Sequence, residues 1–241
     1  MRIPRIYTPQ TLSENTAIQL DEAAANHVAR VLRMKAEREL IVFNGEAQQH
    51  FSAQIISVDR KAVSIQVLAK NSTQLESPLH IHLGQAISKG DRFEFAIQKA
   101  VELGVNEITP LWTTNCDVKL NSERLEKKIR QWRQIAIAAC EQSGRDVVPT
   151  IHLPAQLETW LAAVEGDEKW VLDPRGLPQE GAEQVSSACI LVGPEGGLSE
   201  QEVALACEHQ FIAKLIGPRI LRTETAALTA VCLMQSLWGD F

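Results

Sequence analysis

Twice within residues 189–241 an apolar, strand-like run ends in Gly-Pro, passes through a loop and meets a helix start. The first unit is Cys189–Val192, then Gly193-Pro194-Glu195-Gly196-Gly197, then Ser199 with Glu202 at capping-box spacing. The second is Lys214–Ile216, then Gly217-Pro218, a short apolar segment to Leu221, and Arg222-Thr223-Glu224 opening an Ala-rich helix. Strands that alternate with helices must cross over and return parallel, so units of this kind predict an α/β domain with a mostly parallel sheet. Both loops would then leave the carboxyl ends of their strands, where open α/β sheets bind ligands. Glycines there let a ligand approach the backbone, and the helix starts favour an anionic group. Neither loop is G-x-G-x-x-G, and no Lys-Ser/Thr follows the glycines as a Walker A loop requires.

The same alternation begins at Leu79. "LHIHLGQAI" reads as a strand, Arg92–Leu103 as a helix burying Phe93, Ile97, Ala100 and Val101, and Gly104 as its C-cap. "VNEITPLW" returns as a strand. Asn121 or Ser122 then caps a long helix to about Glu141, with Leu125, Ile129, Trp132, Ala136 and Ala139 as its buried stripe. "KWVLDP" adds another strand. Upstream the texture is β: "ELIVF" runs into Asn44-Gly45, a short-hairpin signal, and "HFSAQIISV" and "AVSIQVLA" follow. Asp21–Arg33 is the one helical stretch there. Short strands in so small a segment suggest a small β-barrel, and Lys70–Pro78 reads as a polar linker. The expected division is a front domain over residues 1–72 and a body over residues 73–241.

The net charge of −6 is unevenly spread. Residues 1–74 carry nine Lys/Arg against seven Asp/Glu, and the remainder fifteen against twenty-three, so a mildly basic module precedes an acidic body. Such a module can dock RNA locally. No run approaches the length of a membrane span, and no apolar stretch follows Met1-Arg2-Ile3-Pro4-Arg5 as a signal peptide would require, which predicts a cytoplasmic protein. The five scattered cysteines read as reduced core residues.

Arg219 and Arg222 lie in or beside the second Gly-Pro loop. Each stays protonated and could stabilise negative charge on a carbonyl oxygen or clamp a phosphate. Glu141, Gln142, Ser143 and Arg145 cluster around Gly144, as a ligand-contacting turn or as a plain helix end. His80 and His82 share one face of their strand, as a metal pair might, but no third ligand stands at a recognisable spacing, so no metal site is expected. His27, His50, His152 and His209 are isolated in sequence. No Ser/His/Asp or Cys/His arrangement supports nucleophilic catalysis.

The stretches "MRIPRIY", "HVARVLRM", "LGQAISKG", "IQKAVELGV", "IAACEQSGR", "LVGPEGGLS" and "GPRILRTETAAL", in this order, resemble the RsmE family of ribosomal RNA methyltransferases from the first residue to the last helix. The resemblance implies a PUA-type β-barrel for RNA docking, followed by a SPOUT-class α/β domain whose C-terminal chain threads a trefoil knot. It implies a homodimer that methylates N3 of one uridine in 16S ribosomal RNA, acting on the assembled small subunit. S-adenosylmethionine would sit in the knot. By resemblance its binding residues are Leu172 and Pro174 in one loop, Val192, Gly193, Pro194, Glu195, Gly196 and Gly197 in a second, and Ile216, Gly217, Pro218 and Leu221 in a third. Thr223 and Ala226 complete the set on the following helix. Uracil N3 must lose its proton before or during attack; Arg222 is the expected cation beside O2 or O4, and Glu195 or Glu224 the expected proton acceptor. Arg2, Arg5, Arg30 and Arg33 would dock RNA, the last two one helical turn apart, and Gln142 with Arg145 would guide the target nucleotide. Two other functional classes fit these residues less well. A nicotinamide-dependent oxidoreductase would need a dinucleotide fingerprint in its first βα turn, which is absent. A non-catalytic RNA-binding assembly factor would have no need of a preserved cofactor pocket.

Overall fold

The computed structural model describes residues 3–59, 62–118, 122–177 and 184–241. The chain forms two compact units: Met1–Glu76 with Ile137–Val148, and Ser77–Ala136 with Pro149–Phe241. The segment Ile137–Val148, which the sequence reading left in the body, therefore belongs with the first unit.

In the first unit, strands β1 (Arg5–Tyr7), β2 (Ala17–Gln19), β3 (Glu39–Phe43), β4 (Gln49–Val58) and β5 (Val63–Ser72) form one sheet in the order β1-β3-β4-β5-β2. Alternation along β4 and β5 sends Phe51, Ala53, Ile55, Val63, Ile65 and Val67 into a core shared with Ile6, Leu40 and Val42. The short strand β1 runs parallel to β3 and went unnoticed in the sequence. β3 and β4 do form a hairpin, but its loop spans residues 44–48, and only Gly45 (φ 80°) takes the left-handed conformation; the tight two-residue turn expected of Asn44-Gly45 is not used. β5 also absorbs Lys70–Ser72 of the supposed linker.

The helical stretch of this unit is shorter than Asp21–Arg33. Helix α1 (Glu22–Asn26) is capped by the Asp21 carboxylate, which accepts from the Ala23 and Ala24 amides, and the chain continues as one π-helical turn, His27–Val31. Arg33 lies past its end with φ 51°, so Arg30 and Arg33 do not stand on successive turns of one helix.

The second unit is a fully parallel sheet of β6 (His80–Ala86), β7 (Glu107–Trp112), β8 (Thr150–Ile151), β9 (Ala155–Gln156), β10 (Glu168–Leu177), β11 (Ser187–Val192) and β12 (Ile212–Lys214). Its order is β12-β10-β11-β6-β7-β8, with β9 beside β7. Its helices are α2 (Arg92–Glu102), α3 (Ser122–Ser143, whose residues from Ile137 on belong to the first unit), α4 (Leu157–Ala163), α5 (Glu200–Glu208) and α6 (Thr223–Trp238). Helix α2 buries Phe93, Ile97, Ala100 and Val101 as its period requires, and Gly104 follows it with φ 93°. Helix α4 has Leu157, Trp160 and Leu161 facing the core, a short i, i+3, i+4 pattern that the sequence reading missed. Asn121, offered as the cap of α3, lies outside the described residues.

Chain order explains where a ligand can enter. From β6 the chain builds β7 and β8 to one side and later places β11, β10 and β12 on the other, so the carboxyl ends of β10, β11 and β12 stand side by side. No helix among the described residues is long and apolar enough to cross a membrane. Only Cys140 and Cys189 of the five cysteines are buried, and Cys207 is exposed, so the reading of all five as core residues does not hold.

Candidate active site

A cavity of about 790 Å³ opens at those three strand ends. That volume falls in the range that holds small molecules and cofactors. Its walls are three loops: Leu172–Arg175 from β10, Gly193–Ser199 after β11, and Leu215–Leu221 after β12, closed by Thr223 and Ala226 of α6 and by Arg92. Strand β10 supplies the first wall through an irregularity. Leu172 and Leu177 both pair with Lys214, so residues 173–176 leave the ladder and bulge away from it.

Side chains hold each loop in place. The Asp173 carboxylate, 6% exposed, accepts from the Arg175 amide (2.8 Å), Nε (3.0 Å) and Nη2 (3.0 Å), while Arg175 Nη1 donates to Glu200 (2.6 Å). The Arg175 hydrogen bonds hold Asp173 below the usual carboxylate range, and the same partner raises Arg175. In the second loop Gly197 N–H donates to Pro194 C=O (2.9 Å), and Asn115 Nδ2 donates to the carbonyls of Gly196 (3.2 Å) and Gly197 (3.0 Å). The Gly193 carbonyl accepts from Thr223 Oγ1 (2.6 Å), which itself accepts from Gln85 Nε2 (2.9 Å). Gln85 is 1% exposed at the end of β6. It lies within the quoted "LGQAISKG" run, but nothing in one-dimensional spacing marks it as a support of this loop.

Two glycines are favoured for different reasons, Gly193 by packing and Gly197 by its backbone conformation. A Cβ on Gly193 would come within 2.9 Å of the Leu198 amide nitrogen, closer than real Cβ atoms sit. Gly197 has φ 69°, with nothing within 4 Å of a Cβ position, so its backbone is open to an approaching ligand. Helices α5 and α6 both begin at the cavity, α5 through the reciprocal Ser199/Glu202 capping box and α6 at Arg222. Their N-termini place positive dipole ends at the cavity.

Twelve of the expected cofactor residues line this cavity: Leu172, Pro174, Val192, Gly193, Pro194, Glu195, Gly196, Gly197, Ile216, Leu221, Thr223 and Ala226. Gly217 and Pro218 do not; they are exposed, and Gly217 (φ 69°) turns the chain. Arg92, Asp173, Arg175 and Lys214 are wall residues that the sequence reading did not assign.

Arg222 lines the cavity with an exposed side chain. The two carboxylates offered as proton acceptors differ in position, Glu195 on the cavity wall and Glu224 off it. Glu195 Oε1 accepts from Arg92 Nη1 (2.9 Å) and the Lys89 amide (3.0 Å), which ties the loop after β11 to the loop after β6. Glu224 sits in the first turn of α6 and is not among the wall residues; its Oε2 is buried without a hydrogen-bond partner.

The expected RNA contacts also separate. Arg2 lies outside the described residues. Arg5 is ion-paired with Asp146, with its guanidinium 5.0 Å from the Phe43 ring centroid, and only 7% of its side chain is exposed. Arg145 is 3% exposed, and its guanidinium grips the Glu76 carboxylate through Nε (3.2 Å) and Nη2. These two arginines hold the first unit together and present no face to a nucleotide, which corrects the roles expected of them. Gln142, Arg30 and Arg33 are exposed.

Families of known proteins meet this geometry directly. The RNA methyltransferase domain family matches residues 75–235 and the RNA methyltransferase PUA domain family residues 20–68. Ribosomal RNA small subunit methyltransferase E of Buchnera aphidicola subsp. Acyrthosiphon pisum (strain APS) is 38% identical over 100% of this chain and 96% of its own length. The chain belongs to the ribosomal RNA small subunit methyltransferase E family. The family's enzyme from Neisseria gonorrhoeae, solved bound to S-adenosyl methionine, superposes with a TM-score of 0.92 at 36% identity over 100% of both chains. A Legionella pneumophila protein solved with the bound cofactor SAM gives 0.96 at 40% identity, again over 100% of both chains. Methyltransferase E membership accounts for the Gly-rich loops without a dinucleotide or Walker fingerprint.

Proposed function

We propose that this chain transfers a methyl group from S-adenosylmethionine to N3 of one uridine in 16S ribosomal RNA, acting on the assembled small subunit as a cytoplasmic homodimer. The coarser activity, SAM-dependent methylation of ribosomal RNA, follows from its family. The observation that carries the reading is the cavity itself, walled by three loops at neighbouring strand ends and cradled by glycine backbone. We further propose that the C-terminal chain is threaded as a trefoil knot around these loops and that the front sheet closes as a PUA-type barrel.

The residues fit the cofactor. Glycine at 193 and 197 leaves backbone accessible, apolar Leu172, Val192, Ile216 and Leu221 offer surface to a planar base, and the starts of α5 and α6 suit a carboxylate. When bound, S-adenosylmethionine supplies an electrophilic methyl group on a sulfonium. The loops exclude water and hold the reacting partners in line. Arg222, exposed on the cavity wall, serves in this reading to stabilise the negative charge on the uracil carbonyl oxygens once N3 is deprotonated. Arg30 and Arg33, both exposed, supply phosphate contacts from the front unit.

Glu195 acts in this reading as a latch on the cofactor loop. Glu195→Gln keeps an acceptor for the Lys89 amide and loses the charge facing Arg92, a half-exposed pair of the kind worth about 0.2–1 kcal/mol. The expected result is a rise of roughly fivefold or less in the Kd for S-adenosylmethionine, with kcat nearly unchanged. A kcat loss of about 10²-fold or more would instead make it the general base.

The deciding experiment incubates small subunits from cells lacking the gene with the protein and methyl-labelled S-adenosylmethionine, followed by mass spectrometry of the digested RNA. Label as 3-methyluridine at one position is the expected result. Label on another atom or another RNA overturns the target. RNA binding with no donor binding supports a non-catalytic assembly factor.

A further inference from the structure

A second cluster of chemistry-bearing side chains lies on β6, β7 and just past the end of β8, rather than on the cavity-lining strands β10, β11 and β12. His82 on β6 pairs in register with Glu107 on β7, and His152 follows β8, its amide donating to Ile108 C=O (2.9 Å). His152 Nε2 lies 2.5 Å from Glu107 Oε2, and His82 Nδ1 lies 3.9 Å from the same oxygen. One ligand atom from each of the three falls within 4.8 Å of the others. His80, two residues before His82 and on the same strand face, places Nε2 3.3 Å from Glu107 Oε1.

We propose that His82, Glu107 and His152, with His80 as fourth ligand, bind a divalent transition-metal ion of the zinc class. Imidazole and carboxylate together suit zinc, nickel or copper, whereas magnesium and calcium select oxygen alone. The rings of His82 and His152 stack, with centroids 5.3 Å apart and planes 28° from parallel, so ligating one ion requires one ring to turn about its side-chain bonds. His82 Nε2 lies 2.8 Å from Thr109 Oγ1, a group only 3% exposed, and 3.4 Å from Trp160 Nε1, which only donates; an ion at Nδ1 therefore requires the ring proton to move to Nε2, where Thr109 Oγ1 accepts it. Ligating histidines are oriented through their second nitrogen in this way. The ion has a route in, since the side chains of His80 and His152 are 51% and 38% exposed. Its ligands come from β6, β7 and the end of β8, so it would clamp that edge of the sheet and take no part in methyl transfer.

The test titrates tag-free, chelator-stripped protein with zinc chloride by isothermal calorimetry, with cobalt(II) as a spectroscopic probe. One ion per chain is expected, with micromolar Kd and visible cobalt absorption of tetrahedral intensity. His152→Ala and Glu107→Gln should each weaken zinc by about tenfold or more, while His209→Ala leaves it unchanged. His152 is well exposed, and circular dichroism should show its alanine variant folded; zinc should raise the melting temperature of the parent and not of this variant. No binding to the parent protein, equal affinity in both variants, or loss of binding on Cys207→Ala alone would each overturn the assignment.

Discussion

Replacing Arg222 by alanine is expected to slow methyl transfer about 10²–10³-fold, with a far smaller change in the Kd for S-adenosylmethionine. The magnitude is that of removing one charged donor aimed at a developing oxyanion. Arg222 caps the first turn of α6 with φ −66° and ψ 155°, an extended residue that leaves its side chain exposed along the cavity wall. Its backbone is held there, because the Arg222 carbonyl accepts from the Ala226 amide (2.8 Å) and the next residue, Thr223, is anchored to Gly193. Lysine at 222 should recover only part of the rate, since it keeps the charge but not the planar fork. Single-turnover rates set beside calorimetric cofactor affinities check this. Equal losses in both would make Arg222 a binding residue and remove the catalytic role.

Gly193→Ala is expected to weaken S-adenosylmethionine binding about 5- to 150-fold, the range that an overpacking strain of ~1–3 kcal/mol implies. The added methyl would lie 2.9 Å from the Leu198 nitrogen, 3.0 Å from Leu198 Cγ and 3.1 Å from the Gly197 carbonyl carbon. Two of these three are backbone, so no rotamer change relieves the clash. Nor can the loop step aside cheaply. The Gly193 carbonyl is tied to Thr223 and through it to Gln85, and the far side of the loop is tied by Asn115. Calorimetry with S-adenosylmethionine, alongside circular dichroism to confirm the fold, checks it; an unchanged Kd would show that the loop accommodates a side chain and is not shaped around the cofactor.

Much of the second unit was legible in sequence because its signals are local. The period of Phe93, Ile97, Ala100 and Val101 marks a helix face whatever else the chain does, and the Ser199/Glu202 spacing writes its own cap. The Gly-Pro loops announced a ligand site because glycine accepts close approach of a neighbour to its backbone, and a positive φ, more readily than any other residue. Signals of this kind act within one turn of helix or one strand crossing.

What stayed hidden depends on partners far apart in the chain. Arg5 and Arg145 look like surface cations in sequence, yet Asp146 and Glu76 bury them as ion pairs; burying a charge is tolerated only with such a partner, and the partner is chosen by folding. Glu195 had the chemistry of a base, but Arg92, 103 residues away, takes its carboxylate. Gln85, which no spacing marks as a support, holds the loop after β11 through Thr223, 138 residues away. The histidines show the division most plainly. Alternation along β6 already put His80 and His82 on one face, while Glu107 and His152 joined them only when β7 and β8 were laid alongside. Local chain chemistry thus determined the strands, helices and glycine turns, and strand order in the sheet decided which charges meet, because Coulomb and hydrogen-bond forces act over distance in space and not along the chain.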